Sequence, residues 1–318
     1  ETPDYGSYGG ARGTLGTAGA SEPVQLNATA SISGLLDKLG GTGLGGRTVG
    51  RALDEWERLA RDPDCQVVLA LSTPVVGAGL GELLAAAIGR RYVDIVVMSG
   101  EDVFADVRAA LGFGSTANMD DPASGAHDVG LEPTRDFLAG LAATLAREAD
   151  RDLAGWEFTR ALGKRLAEHA PRTGVLRAAV AADVPVFAPD LVAGPCGLAL
   201  ALAQRRGAAA RLDPLADLTA LADLLAACAH YGVIAAGSGV ATATVTQADE
   251  LAGRATRSAG GVYLDVAAGT GPVGAGVVVA QSPPGLVLPL LLTGLAQRLP
   301  GTIRTPAVAT TAHSDLAR

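Results

Sequence analysis

Residues 66–100 read QVVLALSTPVVGAGLGELLAAAIGRRYVDIVVMSG, and the fold is decided within them. Gln66 to Leu71 is an apolar run of strand length, the pattern of a strand buried on both faces. Gly77-Ala78-Gly79 supplies a turn, Leu80 to Arg90 reads as a helix, and Val93 to Met98 is a second buried strand. Ser99-Gly100 then turns into a helix from Asp102 to Leu111. Two strand, glycine turn, helix units in succession predict a parallel sheet with right-handed crossovers.

Working outward, an amphipathic helix is expected upstream from about Thr48 to Arg61, where Val49, Ala52, Leu53, Trp56, Leu59 and Ala60 share one face. Asp62-Pro63 stops it. Downstream, Gly112 to Gly130 carries turn residues without periodicity and reads as a long loop over the sheet's edge. Helices follow at about Pro133 to Ala149 and Trp156 to His169, then a short helix, a strand at Val184 to Phe187 and its exit loop from Ala188 to Gly194. A helix from Pro214 to Ala229 leads into a strand at Gly232 to Ala236, the turn Gly237-Ser238-Gly239, strands at Val262 to Val266 and Gly276 to Ala280, and a last helix from Leu286 to Leu299. The fold class is therefore α/β, a doubly wound, mostly parallel sheet with helices on both faces. Residues 1–27 and 301–318 read as flexible tails around a single domain over 28–300.

Composition narrows the function classes. Hydrophobic residues make up 48% of the 318 and aromatics 4%, so the core is left to Ala, Val and Leu. The net charge is -8 and no Lys/Arg cluster marks any segment, which argues against a nucleic-acid partner. Cys65, Cys196 and Cys228 are odd in number and widely spaced, a pattern of free thiols in a reducing compartment. With no leader-like start and no long apolar run, the expectation is a cytoplasmic protein without a membrane span. Lys38 and Lys164 are the only lysines, and their rarity with the Ala/Gly excess suggests a GC-rich bacterial genome.

In doubly wound sheets ligands bind beyond the carboxyl ends of the strands. Gly77, Gly79 and Gly81 open a helix there, where backbone amides could approach a phosphate, and Glu101 or Asp102 could accept from ribose hydroxyls. Tight strand-to-helix turns also need glycine for packing alone. A literal GxGxxG at Gly269, Gly271 and Gly274 precedes a strand instead of a helix and fails its structural test. Ser238 follows Gly237, but Ala236 breaks the GxSxG elbow. The four histidines have no metal-ligand spacing, so no metal site is expected. His230 reads as a helix-end cap, and His127 beside Asp128 as the better candidate for a general base.

Several segments together closely resemble the deoxyhypusine synthase family. They are the run from Leu36 to Arg47, then Gly50-Arg51-Ala52-Leu53, Trp56-Glu57-Arg58, Arg61-Asp62-Pro63-Asp64-Cys65, Tyr92 to Val97, Val184 to Pro189 and Leu288 to Leu291. The likeness extends from about Gln25 to Arg298. It implies a Rossmann-like sheet, tetramers with sites between subunits, and NAD used to oxidise spermidine before an active-site lysine takes the aminobutyl group as an imine. It also implies cofactor contacts at Thr73, Gly77, Gly79, Ser99, Gly100, Glu101, Ser238 and Gly239, with Asp106 and Asp265 polar nearby.

The same resemblance exposes departures. The family's Trp-Gly-Lys loop would fall between the last two strands, where only Ala267 to Ala275 stand, so its lysine is absent. Its histidine would match Ala243, its acidic positions Ala193 and Leu198, and its glutamate pair Phe104 and Ala105. Pro74, Val266 and the stretch from Ser282 to Pro284 depart on the cofactor side. Three readings follow. One is a non-catalytic subunit, as a homo-tetramer or in a hetero-tetramer with an intact paralogue. Another is an NAD-dependent transferase or dehydrogenase acting on a polyamine-like or guanidino amine through Asp106, His127 or Asp265. The last is a homo-oligomeric dinucleotide-binding or structural module.

Overall fold

The computed structural model describes residues 23–25, 29–43, 45–114, 130–207, 210–253, 258–265 and 276–301. His127, the GxGxxG glycines, almost all of both expected tails and most of the 112–130 loop lie outside the described residues. The elements run α1 (Ile32–Gly40), α2 (Gly46–Arg61), β1 (Cys65–Leu71), a π-helical turn at Val76–Leu80, α3 (Gly81–Gly89), β2 (Ile95–Met98) and α4 (Gly100–Ala110). Then come α5 (Leu131–Glu148), β3 (Leu153–Ala154), α6 (Gly155–His169), α7 (Val175–Ala182), β4 (Val186–Phe187), α8 (Gly194–Arg205), β5 (Leu212–Asp213) and α9 (Pro214–Ala227). The chain finishes with β6 (His230–Ala236), α10 (Val240–Leu251), β7 (Ser258–Leu264), β8 (Val277–Ala280) and α11 (Pro284–Arg298).

Six strands form one sheet in the order β4-β2-β1-β6-β7-β8, every neighbouring pair parallel. β1 is central, and all seven of its residues are buried. Because side chains alternate along a strand, Val67, Leu69 and Leu71 join the core on one face while Val68 and Ala70 join the core on the other. The first core packs the sheet against α2 and α11 through Trp56, Leu59, Leu288 and Leu291, and the second against α9 and α10 through Leu221, Leu225 and Val245. Burial on both faces explains the continuous apolar runs.

The chain winds from β1 to β2 and β4 on one side, then returns to place β6, β7 and β8 on the other. The crevice between the carboxyl ends of β1 and β6 is thus the topological switch point. A second ladder of two short parallel strands, β3 with β5, stands apart from the main sheet.

The structure changes the expectation at His230. This residue does not close α9, which ends at Ala227, but opens β6, and its Nε2 meets Asp62 Oδ2 at 2.7 Å. The partner is a carboxylate at the end of α2, brought close because α2 and β6 both abut β1. Asp62 is held below the usual carboxylate range chiefly by that hydrogen bond.

Candidate functional site

Two adjoining features occupy the carboxyl edge of the sheet. At the switch point, Ser72 Oγ accepts the Thr242 amide at 3.1 Å and lies 3.0 Å from Thr242 Oγ1, which donates to Gly237 O at 3.0 Å. This network ties the end of β1 to the start of α10. Gly237 has φ +81°, and a Cβ there would overlap Thr73 Oγ1, so the turn requires glycine twice over. Thr73 is half-buried, and Ser238 and Gly239 are exposed at the rim of the crevice.

Beside it lies a cavity of about 580 Å³. Its walls are the segment from Pro74 to Glu82, the largely buried face of α4 that carries Phe104, Ala105 and Arg108, and the chain before α7 around Arg172, Thr173 and Gly174. Of the residues singled out from sequence, Gly77, Gly79, Glu101 and Asp106 meet here. Gly79 has φ +93°, the left-handed region that favours glycine, and a Cβ placed on it would meet nothing within 4 Å.

Four amides of this glycine turn do not serve the cavity. Val76 N donates to Asp102 Oδ1 at 2.9 Å, Gly77 N lies 3.5 Å from the same oxygen, and Asp102 is fully buried on the inner side. Ala78 N and Leu80 N donate within the turn to Pro74 O and Val75 O. Asp102 Oδ2 is buried with no hydrogen-bond partner, and burial pushes this carboxyl up to about 7. Asp102 is therefore unavailable to a ribose, whereas Glu101 is exposed and lines the cavity.

One turn further along α4, Asp106 accepts Val175 N at 2.7 Å and Leu176 N at 2.9 Å, fixing the start of α7. Burial raises it to about 6, with those two amides opposing the rise. Both its oxygens are thus engaged by backbone. Ser99 caps α4 by accepting the Asp102 amide at 3.0 Å. Gly100 is buried, donates to Asp190 Oδ1 at 2.9 Å, and would set a Cβ 2.7 Å from Asp190 O. Its glycine serves this close packing. Asp265 is exposed at the end of β7, its amide donating to Ala280 O, and it does not line the cavity.

The positive groups of the cavity, Arg108 on α4 and Arg172 before α7, were not singled out in the sequence. The signal was present: Glu101, Phe104 and Arg108 sit at i, i+3 and i+7, one stripe of a helix that opens directly after a strand. Neither lysine is here. Lys38 is exposed on α1 and Lys164 is exposed on α6. Phe104 and Ala105 line the cavity with apolar surface.

A dinucleotide fits this edge in part. Ser238 and Gly239 are exposed at the crevice rim, while the turn directs its Val76 and Gly77 amides to Asp102 and away from a diphosphate. Among the described residues no group of three or more His, Cys, Asp or Glu side chains is placed to hold a metal ion, and no helix is long and apolar enough to cross a membrane.

The sequence matches the family description for deoxyhypusine synthase over residues 34–271. It is 27% identical over 237 residues to the "Probable deoxyhypusine synthase 2" of Methanosarcina mazei, covering 70% of this chain and 68% of the relative. It is 30% identical over 227 residues to the "Probable deoxyhypusine synthase" of Methanopyrus kandleri, covering 69% and 73%. A solved structure described as a "putative deoxyhypusine synthase" from Entamoeba histolytica superposes with a TM-score of 0.67 at 17% identity, covering 88% of this chain and 97% of that one. The solved complex of AgrE with ornithine and NAD+ superposes with a TM-score of 0.55 at 17% identity, over 81% of this chain and 34% of that one.

Proposed function

The chain belongs to the deoxyhypusine synthase family, and from that premise we propose that it is a member without imine chemistry, a subunit that assembles with a lysine-bearing relative. The observation that carries this reading is the position of its lysines. An amine that forms an imine must be desolvated and lowered in pKa, and both Lys38 and Lys164 are exposed on helices outside the cavity. Phe104 and Ala105 on the cavity floor support it as well, since apolar side chains cannot offset the charges of a polyamine on desolvation. Sites shared between subunits, as the resemblance implies, let such a chain complete or regulate a partner's site in a tetramer.

The test is to express the chain alone and with a lysine-bearing family member, and to measure mass in solution and transfer from spermidine. Hetero-tetramers, with no transfer by the chain alone, are expected. Transfer by the chain alone would end this reading.

A second reading is NAD-dependent oxidation of, or group transfer from, an amine or guanidine, since the cofactor itself carries hydride chemistry. It draws on the retained cavity with Glu101 in its wall, and on the likeness in fold to a protein solved with ornithine and NAD+. Amine-dependent reduction of NAD by the chain alone would select it.

A further inference from the structure

The two edges of the main sheet end differently. β4, at one edge, is two residues long and lies between Pro185 and Pro189. Val96 N donates to Pro185 O at 3.0 Å, so the next residue, Val186, turns its backbone groups outward. There Val186 O accepts Thr159 Oγ1 of α6 at 2.6 Å. Short length, proline and a covering helix are the usual means of closing an edge to other strands.

β8, at the other edge, lacks proline and a covering side chain. Gly261 N and Asp265 N donate to Gly276 O and Ala280 O, each at 2.9 Å. The positions bonded to β7 therefore fall at 276, 278 and 280, and the N–H and C=O groups of Val277 and Val279 point away from it. Among the described residues no strand lies beyond β8, and no side chain meets those outward groups. Val279 is 39% exposed. From Gly276 to Gln297 the sequence carries no charged residue, so no lysine or carboxylate of this segment guards the edge.

We infer that β8 pairs with β8 of a second copy of this chain, antiparallel about a two-fold axis at Val278, joining two six-stranded sheets into one. In that register Val277 faces Val279 of the partner subunit, and Val279 faces the partner's Val277. All of these residues turn their backbone groups outward, so each pair exchanges both of its hydrogen bonds, and Val278 meets its own counterpart in a pair that makes none. Slipping the register by one residue would set outward groups against inward ones. The run Val277-Val278-Val279 reads the same in both directions, as a contact between identical surfaces requires. β-Branched residues directly opposite stabilise a sheet, and an uncharged edge opposes no like charges when it meets itself. The two-fold closes the contact at two copies. The inference goes beyond the proposed function, because it needs no lysine-bearing relative.

Sedimentation of the full chain alone, over a series of concentrations, tests this. The expected mass is an even multiple of the chain's, and Val279→Lys and Val279→Pro are each expected to halve it. The proline removes an N–H that β7 does not use, so this variant is expected to melt as the parent does. Val278→Cys supplies a readout of register: across the axis the two Cα atoms would stand about 4.5 Å apart, within disulfide range, so mild oxidation is expected to give a covalent dimer. Val279→Cys, set opposite Val277 of the partner subunit, is expected to give none, and Cys65, Cys196 and Cys228 are buried. A parent that stays monomeric throughout overturns the inference, as do Val279 variants that melt normally and keep the parent's mass. Should both Val279 variants melt early, the cysteine pair decides, and a covalent dimer from Val279→Cys but not from Val278→Cys overturns the inference. Assembly with a relative is read in a separate mixture, so either reading can fail without the other.

Discussion

Asp102 and Asp106 stand four residues apart on α4 and tie that helix to two different walls of one cavity. Asp102 holds the amides of Val76 and Gly77 in the turn after β1, and Asp106 holds those of Val175 and Leu176 at the start of α7. The i, i+4 spacing places both carboxyls on one side of the helix. Cavity shape is therefore set by two buried carboxyls whose ionisation falls near neutrality, about 7 and about 6.

Asp102 carries a pH signature. Its carboxyl is raised in the fold relative to the unfolded chain, so between pH 4 and 7 the folded state retains a proton that the unfolded state has lost. Stability then falls as pH rises through that window, and the full penalty persists above pH 7. Asp102→Asn keeps an oxygen for Val76 N and removes the ionisation. Urea unfolding at pH 4.5 and 7.5 is expected to show the loss on raising pH reduced by roughly 3 kcal/mol in the variant, given ~1.4 kcal/mol for each tenfold change in proton affinity. An identical pH dependence in the two proteins would mean that Asp102 ionises normally.

The switch-point turn is a place where one substitution separates two costs. Gly237→Ala must accept φ +81° and also overlap Thr73 Oγ1. The backbone part costs about 1–2 kcal/mol for an alanine, and the overlap adds to it. Thr73→Ala combined with Gly237→Ala is expected to recover the overlap and leave the backbone part. Thermal melts of both single variants and the double variant read this as non-additivity; strict additivity would mean the two residues do not press on one another.

Arg298 is the hinge pin of the helix layer formed by α1, α2 and α11. Its guanidinium meets Asp37, Asp54 and Glu57, the last two at 2.9 and 2.6 Å. Asp37 and Asp54 are more than half exposed, so their share is weak and screened, while Glu57 is largely covered. Arg298→Met is expected to lower stability by about 1–2 kcal/mol, with the difference from the parent narrowing when melts are repeated in about 0.5 M salt, where charges are screened within about 4 Å. No change in melting would show that the cluster contributes nothing to stability.

Elements with a strong pattern were legible in the sequence. α2 was readable from its 3.6-residue stripe, and β1, β2 and β6 from apolar runs that only strands covered on both faces can carry. Three helices escaped that reading. In α8 and α10 the apolar residues are mostly Ala, Leu and Val spread around the helix, and α1 is nine residues long beside a glycine-rich run. The β3–β5 ladder pairs two residues with two, too short for any periodicity to mark it.

For the candidate site, the sequence by itself determined the fold class and limited the chain to two lysines, Lys38 and Lys164. Those facts depend on local pattern and on residue identity, which the chain carries in order. Only the tertiary structure decided that the glycine turn faces Asp102, that His230 meets Asp62, and that Arg172 joins Arg108 at one end of a cavity. Each of these is a direction taken by a polar group, and a polar group turns toward whichever distant partner the packed helices bring within about 3 Å.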